Sequence, residues 1–295
     1  MIIRSLLIAP GNRPDLLKKF PRCDADAFVI DLEDGTPQAE KVAARRELAG
    51  VVAYLRAQGL RGLLFVRTNE PASHHTDADI DAALHLDIDG LVIPKLAAPS
   101  ELHRFGAALT AAERGDRRPI LLIGSIETMN GVVNVHALAT GDPHLCAFCF
   151  GAEDFISDIG GQRTPEGLEV LYARSQIVLA AKAAGLNAID QVVVEIRDDE
   201  RFRHDSMVGR NLGYDGKMCL LPRQVELANE LFSPTPEEID RSRRLVEAYE
   251  AAVAEGRGVI DFEGRMVDPP LLKRAKSVLA LASHLGGGPS RTRRN

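Results

Sequence analysis

Residues 27–34, AFVIDLED, begin as an unbroken apolar run and then present Asp31, Glu33 and Asp34 within four positions. A run that is apolar at successive positions, rather than at alternate ones, is the pattern of a strand buried on both faces. The same layout recurs along the chain, in SLLIAP from Ser5, GLLFVRTN from Gly62, GLVIPKL from Gly90, ILLIGSIET from Ile120, CAFCFGAED from Cys146, AIDQVVVEI from Ala188 and GKMCLLP from Gly216. With the first run these make eight predicted strands.

Helical spacing and helix punctuation fill the intervals. QAEKVAARRELAGVVAYLRAQG starts at Gln38 and closes on Gly59 as a C-terminal cap. Another helix is expected from Thr164 as N-cap, with Pro165 in its first turn and a body, LEVLYARSQIVLAAKAAG, that ends on Gly185. Strands buried on both faces and separated by helices predict a parallel sheet covered by helices, and eight units favour a closed (β/α)8 TIM barrel over an open sheet.

The barrel is expected over residues 1–232. A C-terminal helical extension over 233–285 should pack on the barrel or on a neighbouring subunit. It opens with a capping box at Thr235, Pro236 and Glu238, turns at Glu263 and Gly264, and ends in a helix from Leu271 to Leu285. The remaining GGGPSRTRRN, residues 286–295, has the composition of a disordered tail.

Composition removes several function classes. The net charge is −6 and no basic run interrupts the folded part, which argues against a nucleic-acid partner. No apolar run is long enough to span a bilayer, and Arg4 breaks the N-terminal apolar stretch, so a cytoplasmic protein is expected, with no membrane partner. The two cysteines of CAFC, Cys146 and Cys149, are three apart in a strand and should point to opposite faces, which disfavours zinc or redox chemistry. His74 and His75 read as a solvated loop before a helix.

In barrels of this type the active site lies at the C-terminal ends of the strands. The candidates there are Asp31, Glu33 and Asp34, then Arg67 and Asn69, Lys95, Glu127 and Thr128, Glu153 and Asp154, and Glu195. Carboxylates from several strands around one mouth repel one another unless a cation intervenes. Oxygen ligands in that number suit Mg²⁺, which keeps waters and binds one or two protein carboxylates.

RSLLIAPGNRPDLL, VIDLEDGTPQAEKVAAR, VRTN, IPK, SIETMNGVVN, FGAEDFISDIGG, AAKAAGLNAIDQV, GYDGKM and MVDPP, in that order, resemble the citrate lyase β-subunit-like proteins of the HpcH/HpaI aldolase superfamily, which includes malyl-CoA and citramalyl-CoA lyases. The resemblance implies a (β/α)8 barrel, usually trimeric, that binds Mg²⁺ and cleaves a 3-hydroxyacyl-CoA thioester into an acyl-CoA and a 2-keto acid of the oxaloacetate, glyoxylate or pyruvate class. Thioester hydrolysis, malate-synthase-like condensation, or a non-catalytic place in a larger lyase complex are the alternatives.

By motif, Glu127 and Asp154 would hold the metal and Arg67 the substrate, and Asp268 matches an acid that in some relatives reaches a neighbouring subunit's site. Backbone N–H groups of Ala152, Glu153 and Asp154 could grip a carboxylate, while Glu33 and Asp34 would hold metal-bound waters or supply a base, with Lys41 as counter-charge. Asp31 is expected to pair with an interior cation such as Lys95. Asn12, Arg13, Lys18 and Lys19 offer donors for CoA phosphates. Many relatives carry His where this chain has Leu221, so any proton transfer or hydrogen bond that His makes is absent here.

Overall fold

The structure, a computed structural model, describes residues 1–112 and 119–286. Eight parallel strands close into a barrel in chain order: β1 (Ser5–Pro10), β2 (Ala27–Asp31), β3 (Leu63–Arg67), β4 (Gly90–Ile93), β5 (Leu121–Ile126), β6 (Leu145–Phe150), β7 (Asn187–Asp190) and β8 (Gly216–Cys219). Each expected strand is present. Inward side chains, among them Leu6, Val29, Phe65, Val92, Ile123 and Ile189, form one apolar cluster. Outward neighbours such as Phe28, Leu64, Leu91, Leu122 and Phe148 join the helices in a second. Both faces of the sheet are therefore buried, which explains the unbroken apolar runs.

Three local expectations need correction. β7 stops at Asp190, so Glu195 does not finish a strand: Val194 and Ile196 are exposed in the loop, and the apolar run outlasts the ladder. The helix after β6 and its loop starts at Leu168, not Thr164. Gly167, left-handed at φ 68°, breaks the path between them, and the Thr164 hydroxyl accepts from the Gly167 N–H in a separate turn. Finally, β6 shifts register against β5 between Leu122 and Ile123. That irregularity lets Cys146 as well as Cys149 pack on the interior cluster instead of pointing away from it. Burial pushes both thiols up to about 12, so they remain inert.

An ionic cluster lies between β7, β8 and the helices Leu168–Ala183 and Asp199–Leu212. Asp190 and Lys217 are register neighbours. Lys217 Nζ reaches Asp205 at 2.5 Å and Asp190 at 3.2 Å, and Arg174 donates to Asp190 through Nε at 2.8 Å. Two buried anions are thus matched by two buried cations.

The chain divides into two compact units, Met1–Phe232 and Ser233–Asn295. In the second, helix Pro236–Ala254 carries the complete Thr235 and Glu238 capping box. Strands β9 (Ile260–Phe262) and β10 (Arg265–Val267) pair antiparallel through Glu263 and Gly264, both at positive φ, as a two-residue hairpin with this twist requires. Helix Pro269–Gly286 completes the unit, whose small core includes Leu245, Tyr249, Ile260 and Val267. Gly286 thus ends a helix, and the rest of the expected tail, 287–295, lies outside the described residues. Among the described residues no helix is long and apolar enough to cross a membrane.

Candidate active site

The C-terminal ends of β2 to β6 bring most of the expected residues together. Asp31 closes β2 in register with Arg67 at the end of β3. The guanidinium grips the carboxylate with two parallel bonds, Nε to Oδ1 and Nη2 to Oδ2, each 2.7 Å. Backbone N–H groups of Glu33 and Gly35 add donors at 2.8 Å each. Gly35 is needed there, because a Cβ would lie 2.4 Å from Asp31 Oδ2. Burial pushes the Asp31 carboxyl up, but Arg67 and the two amides outweigh it and hold it below the usual carboxylate range. Asp31 is therefore saturated by donors and pairs with Arg67, not with Lys95 as expected. Its task is to fix the guanidinium plane, leaving the Nη1 edge 3.2 Å from Glu33 Oε2.

Lys95 answers Glu33 instead. Its Nζ lies 2.7 Å from Glu33 Oε1, 3.2 Å from Asp34 Oδ2 and 3.9 Å from Asp154 Oδ1. Those contacts outweigh the lowering effect of burial, so the ammonium is held protonated. Glu33 is 3% exposed, and its Oε2 has no hydrogen-bond partner. Burial raises its carboxyl to about 7 against the pull of Arg67 and Lys95, and Glu127 adds to the rise. Lys41 is not a counter-charge to these acids: its Nζ donates to the backbone carbonyls of Leu32 at 3.0 Å and Glu33 at 2.7 Å. Asn69 holds the same segment by donating to the Leu32 carbonyl at 3.0 Å.

Glu127 follows β5 directly and is fully enclosed. Its Oε1 accepts from the Lys95 backbone N–H at 2.6 Å, and its Oε2 accepts from the Ser125 hydroxyl at 2.7 Å. Gly151, at the end of the next strand, makes the room: a Cβ there would sit 2.1 Å from Oε2. Thr128 caps the following helix, accepting from the Gly131 N–H, so it is a structural residue.

Asp154 lies in the first turn of helix Ala152–Ile159. The first intrahelical bond there runs from the Phe155 N–H to the Gly151 carbonyl, so the amides of Ala152, Glu153 and Asp154 precede it. The Glu153 side chain turns away to Arg163, 3.0 Å distant.

Burial raises both Glu127 and Asp154. Arg67 and Lys95 respectively oppose the rise, while Asp154 adds to it at Glu127 and Asp34 adds to it at Asp154. Negative charge at Asp154 thus makes Glu127 harder to ionise, and Asp34 does the same to Asp154, as in a mouth that calls for a cation. Among the described residues no three His, Cys, Asp or Glu side chains gather as a metal cage. Oxygen-bearing side chains without a Cys or His cage beside them fit a hard ion that keeps waters, and do not fit a closed zinc site.

Other candidates lie elsewhere or are engaged. His75 is buried, not solvated, and contacts Gln38 and Arg45, while His74 stays exposed. Asn12 donates to Glu40 and Arg13 pairs with Asp15. Leu221 takes the N-cap position of helix Pro222–Leu231 and supplies no side-chain cap. Asp268, in the second unit, accepts from the Leu271 N–H at 3.3 Å as a helix cap. Ser125 and Gly35 were not anticipated, and Gly151, expected to allow a close approach, does so for the Glu127 carboxylate. For Ser125 a signal existed, since it stands two residues before Glu127 on one strand face.

The chain is similar to a known family and to several known proteins. The family described as HpcH/HpaI aldolase/citrate lyase matches residues 4–222. A citrate lyase subunit beta-like protein of Deinococcus radiodurans is 44% identical over 281 residues, covering 95% of this chain and 97% of that protein. The mitochondrial citramalyl-CoA lyase of Homo sapiens is 33% identical over 294 residues, covering 96% and 86%. Among solved structures, the protein CitE of Mycobacterium tuberculosis in complex with magnesium, acetoacetate and coenzyme A superposes with a TM-score of 0.78 at 28% identity, covering 96% of this chain and 98% of that one.

Proposed function

This chain belongs to the HpcH/HpaI aldolase/citrate lyase family, and on that premise we propose that it is a Mg²⁺-dependent carbon-carbon lyase acting on a 3-hydroxyacyl-CoA of the malyl-CoA, citramalyl-CoA or citryl-CoA kind. The products are an acyl-CoA and a 2-keto acid. The observation that carries the reading is the run of carboxylates at neighbouring strand ends around Lys95, which reaches Glu33, Asp34 and Asp154 while its backbone N–H holds Glu127. Magnesium and coenzyme A in the similar mycobacterial protein support it.

Glu127 and Asp154 would hold the ion. When bound, Mg²⁺ supplies Lewis-acid stabilisation of the oxygen that becomes the keto group, and a template for the keto acid. Glu33 provides the base: its Oε2, which makes no hydrogen bond and faces Arg67 Nη1 at 3.2 Å, accepts the proton of the substrate hydroxyl as the carbon-carbon bond breaks and the electron pair passes to the carbon next to the thioester. A carboxyl near 7 is well matched to that task at neutral pH. Arg67, its plane fixed by Asp31 and its Nη1 3.2 Å from Glu33 Oε2, is a stationary positive charge beside both the base and the nascent keto acid. The amides of Ala152, Glu153 and Asp154 offer donors to its carboxylate. Asp268 is proposed to serve a neighbouring subunit's site, as the acid for the proton that the acyl carbon takes up.

Calorimetric titration tests the metal assignment. The parent protein should bind one Mg²⁺ per chain, and Asp154→Ala should lose that binding while keeping its melting temperature. Equal affinity in the variant would refute the site.

A further inference from the structure

Lys95 departs from ordinary backbone geometry, with φ at 49°. Glycine adopts that region freely, whereas a residue with a side chain is disfavoured in it. The conformation does two things together. It aims the Lys95 N–H at Glu127 Oε1, 2.6 Å away, and it sends the side chain across the mouth to Glu33, Asp34 and Asp154. A glycine would keep the first contact and forgo the second, so the strained lysine is accounted for by its ammonium.

The charges around that ammonium are unequal. Asp31, Glu33, Asp34, Glu127 and Asp154 face Arg67 and Lys95, and Arg67 is committed to Asp31 through both Nε and Nη2. Arg67 also answers Glu33 and Glu127, whereas Lys95 is the cation within reach of Glu33, Asp34 and Asp154. A fixed positive charge close to Asp154 repels an arriving divalent ion and attracts an arriving carboxylate.

We infer that Lys95 is a tethered counter-cation that weakens binding of the bare divalent ion and strengthens binding of an anionic keto-acid substrate. The inference rests on the lyase reading above and deepens it, because it assigns the substrate a carboxylate that must approach an acid-rich mouth. With the ammonium in place, that mouth tolerates both the metal-ligand carboxylates and the substrate's own negative charge. The backbone N–H on Glu127 is untouched by side-chain replacement, so the two roles of the residue separate experimentally.

The test uses Lys95→Met, which keeps the apolar stem and removes the charge, Lys95→Gln as a second neutral variant, and Lys95→Arg, which retains the charge. Mn²⁺ affinity is measured by electron paramagnetic resonance without substrate, and pyruvate affinity by calorimetry on the Mg²⁺-saturated protein. Both neutral variants should bind Mn²⁺ about threefold tighter or better and pyruvate about tenfold weaker or worse, and the arginine variant should stay near the parent in both. Opposite signs are the signature, since a merely structural lysine would weaken both ligands when removed. Parallel losses, or no change in either affinity, overturn the inference while leaving the metal site standing. A parent protein that takes up no Mn²⁺ overturns the lyase reading and this inference with it.

Discussion

Glu33 is an acid that its surroundings make expensive to ionise. Its folded value of about 7 lies above the ordinary 4.5. Below the ordinary value both folded and unfolded chains hold the proton, and the group contributes nothing. As pH rises through 7 the folded carboxylate is ionised in a buried place, and the protein is less stable by roughly 3 kcal/mol. Glu33→Gln should therefore unfold in urea at higher free energy than the parent at pH 8 without metal, with the difference closing toward pH 4. The same substitution should lower turnover by about 10² to 10⁴ if Glu33 is the base. Turnover of the parent should fall on the acid side as Glu33 takes up its proton, and Mg²⁺ should move that limb to lower pH. The types of these residues were legible in the sequence, because acids that end apolar strands have few cheap explanations. Their partners were not legible. Asp31 and Arg67 are 36 positions apart and meet only because β2 and β3 align them, and Lys95 reaches Glu33 across a separation of 62.

Helix ends and strand ends decided which expectations survived. The capping box at Thr235 was readable because it is a local contact between neighbours. The start at Leu168 was not, because Thr164 serves a turn of its own and Gly167 takes the left-handed cap position. Asp268 tests the difference between a cap and an acid. Asn caps as well as Asp, so Asp268→Asn should melt with the parent, whereas Asp268→Ala should lose about 1 kcal/mol in the second unit. Turnover lost in the Asn variant would mark the carboxyl itself as chemically required.

The ionic cluster behind β7 and β8 makes a second prediction about elements. Burial pushes Asp205 up, but Lys217 and Arg174 outweigh it and hold it at about 2, below the ordinary 3.8. Its stabilising contribution, on the order of 2 kcal/mol, is complete above the ordinary value and is lost as pH falls through about 2. Lys217→Met should cost about 3–5 kcal/mol at pH 7 in chemical denaturation, because it leaves buried carboxylates short of a partner.

The whole barrel was readable because its strands are buried on both faces and its connections are helices. β7 was harder, since VVV after Asp190 continues the apolar pattern into a loop and pointed to Glu195 instead of Asp190. The closed sheet gathers five strand ends around one mouth, and that gathering converts separate acids into a site with a need for a cation. Bond cleavage at that mouth should therefore depend on the metal. The direct measurement is to incubate the purified chain and Mg²⁺ with malyl-CoA, citramalyl-CoA and citryl-CoA and to follow every product by mass. Acetyl-CoA and the matching 2-keto acid should appear in equal amounts from at least one substrate, abolished by EDTA and by Asp154→Ala. Free CoA with the hydroxy acid intact, or cleavage that persists without a divalent ion, would contradict a metal-dependent lyase.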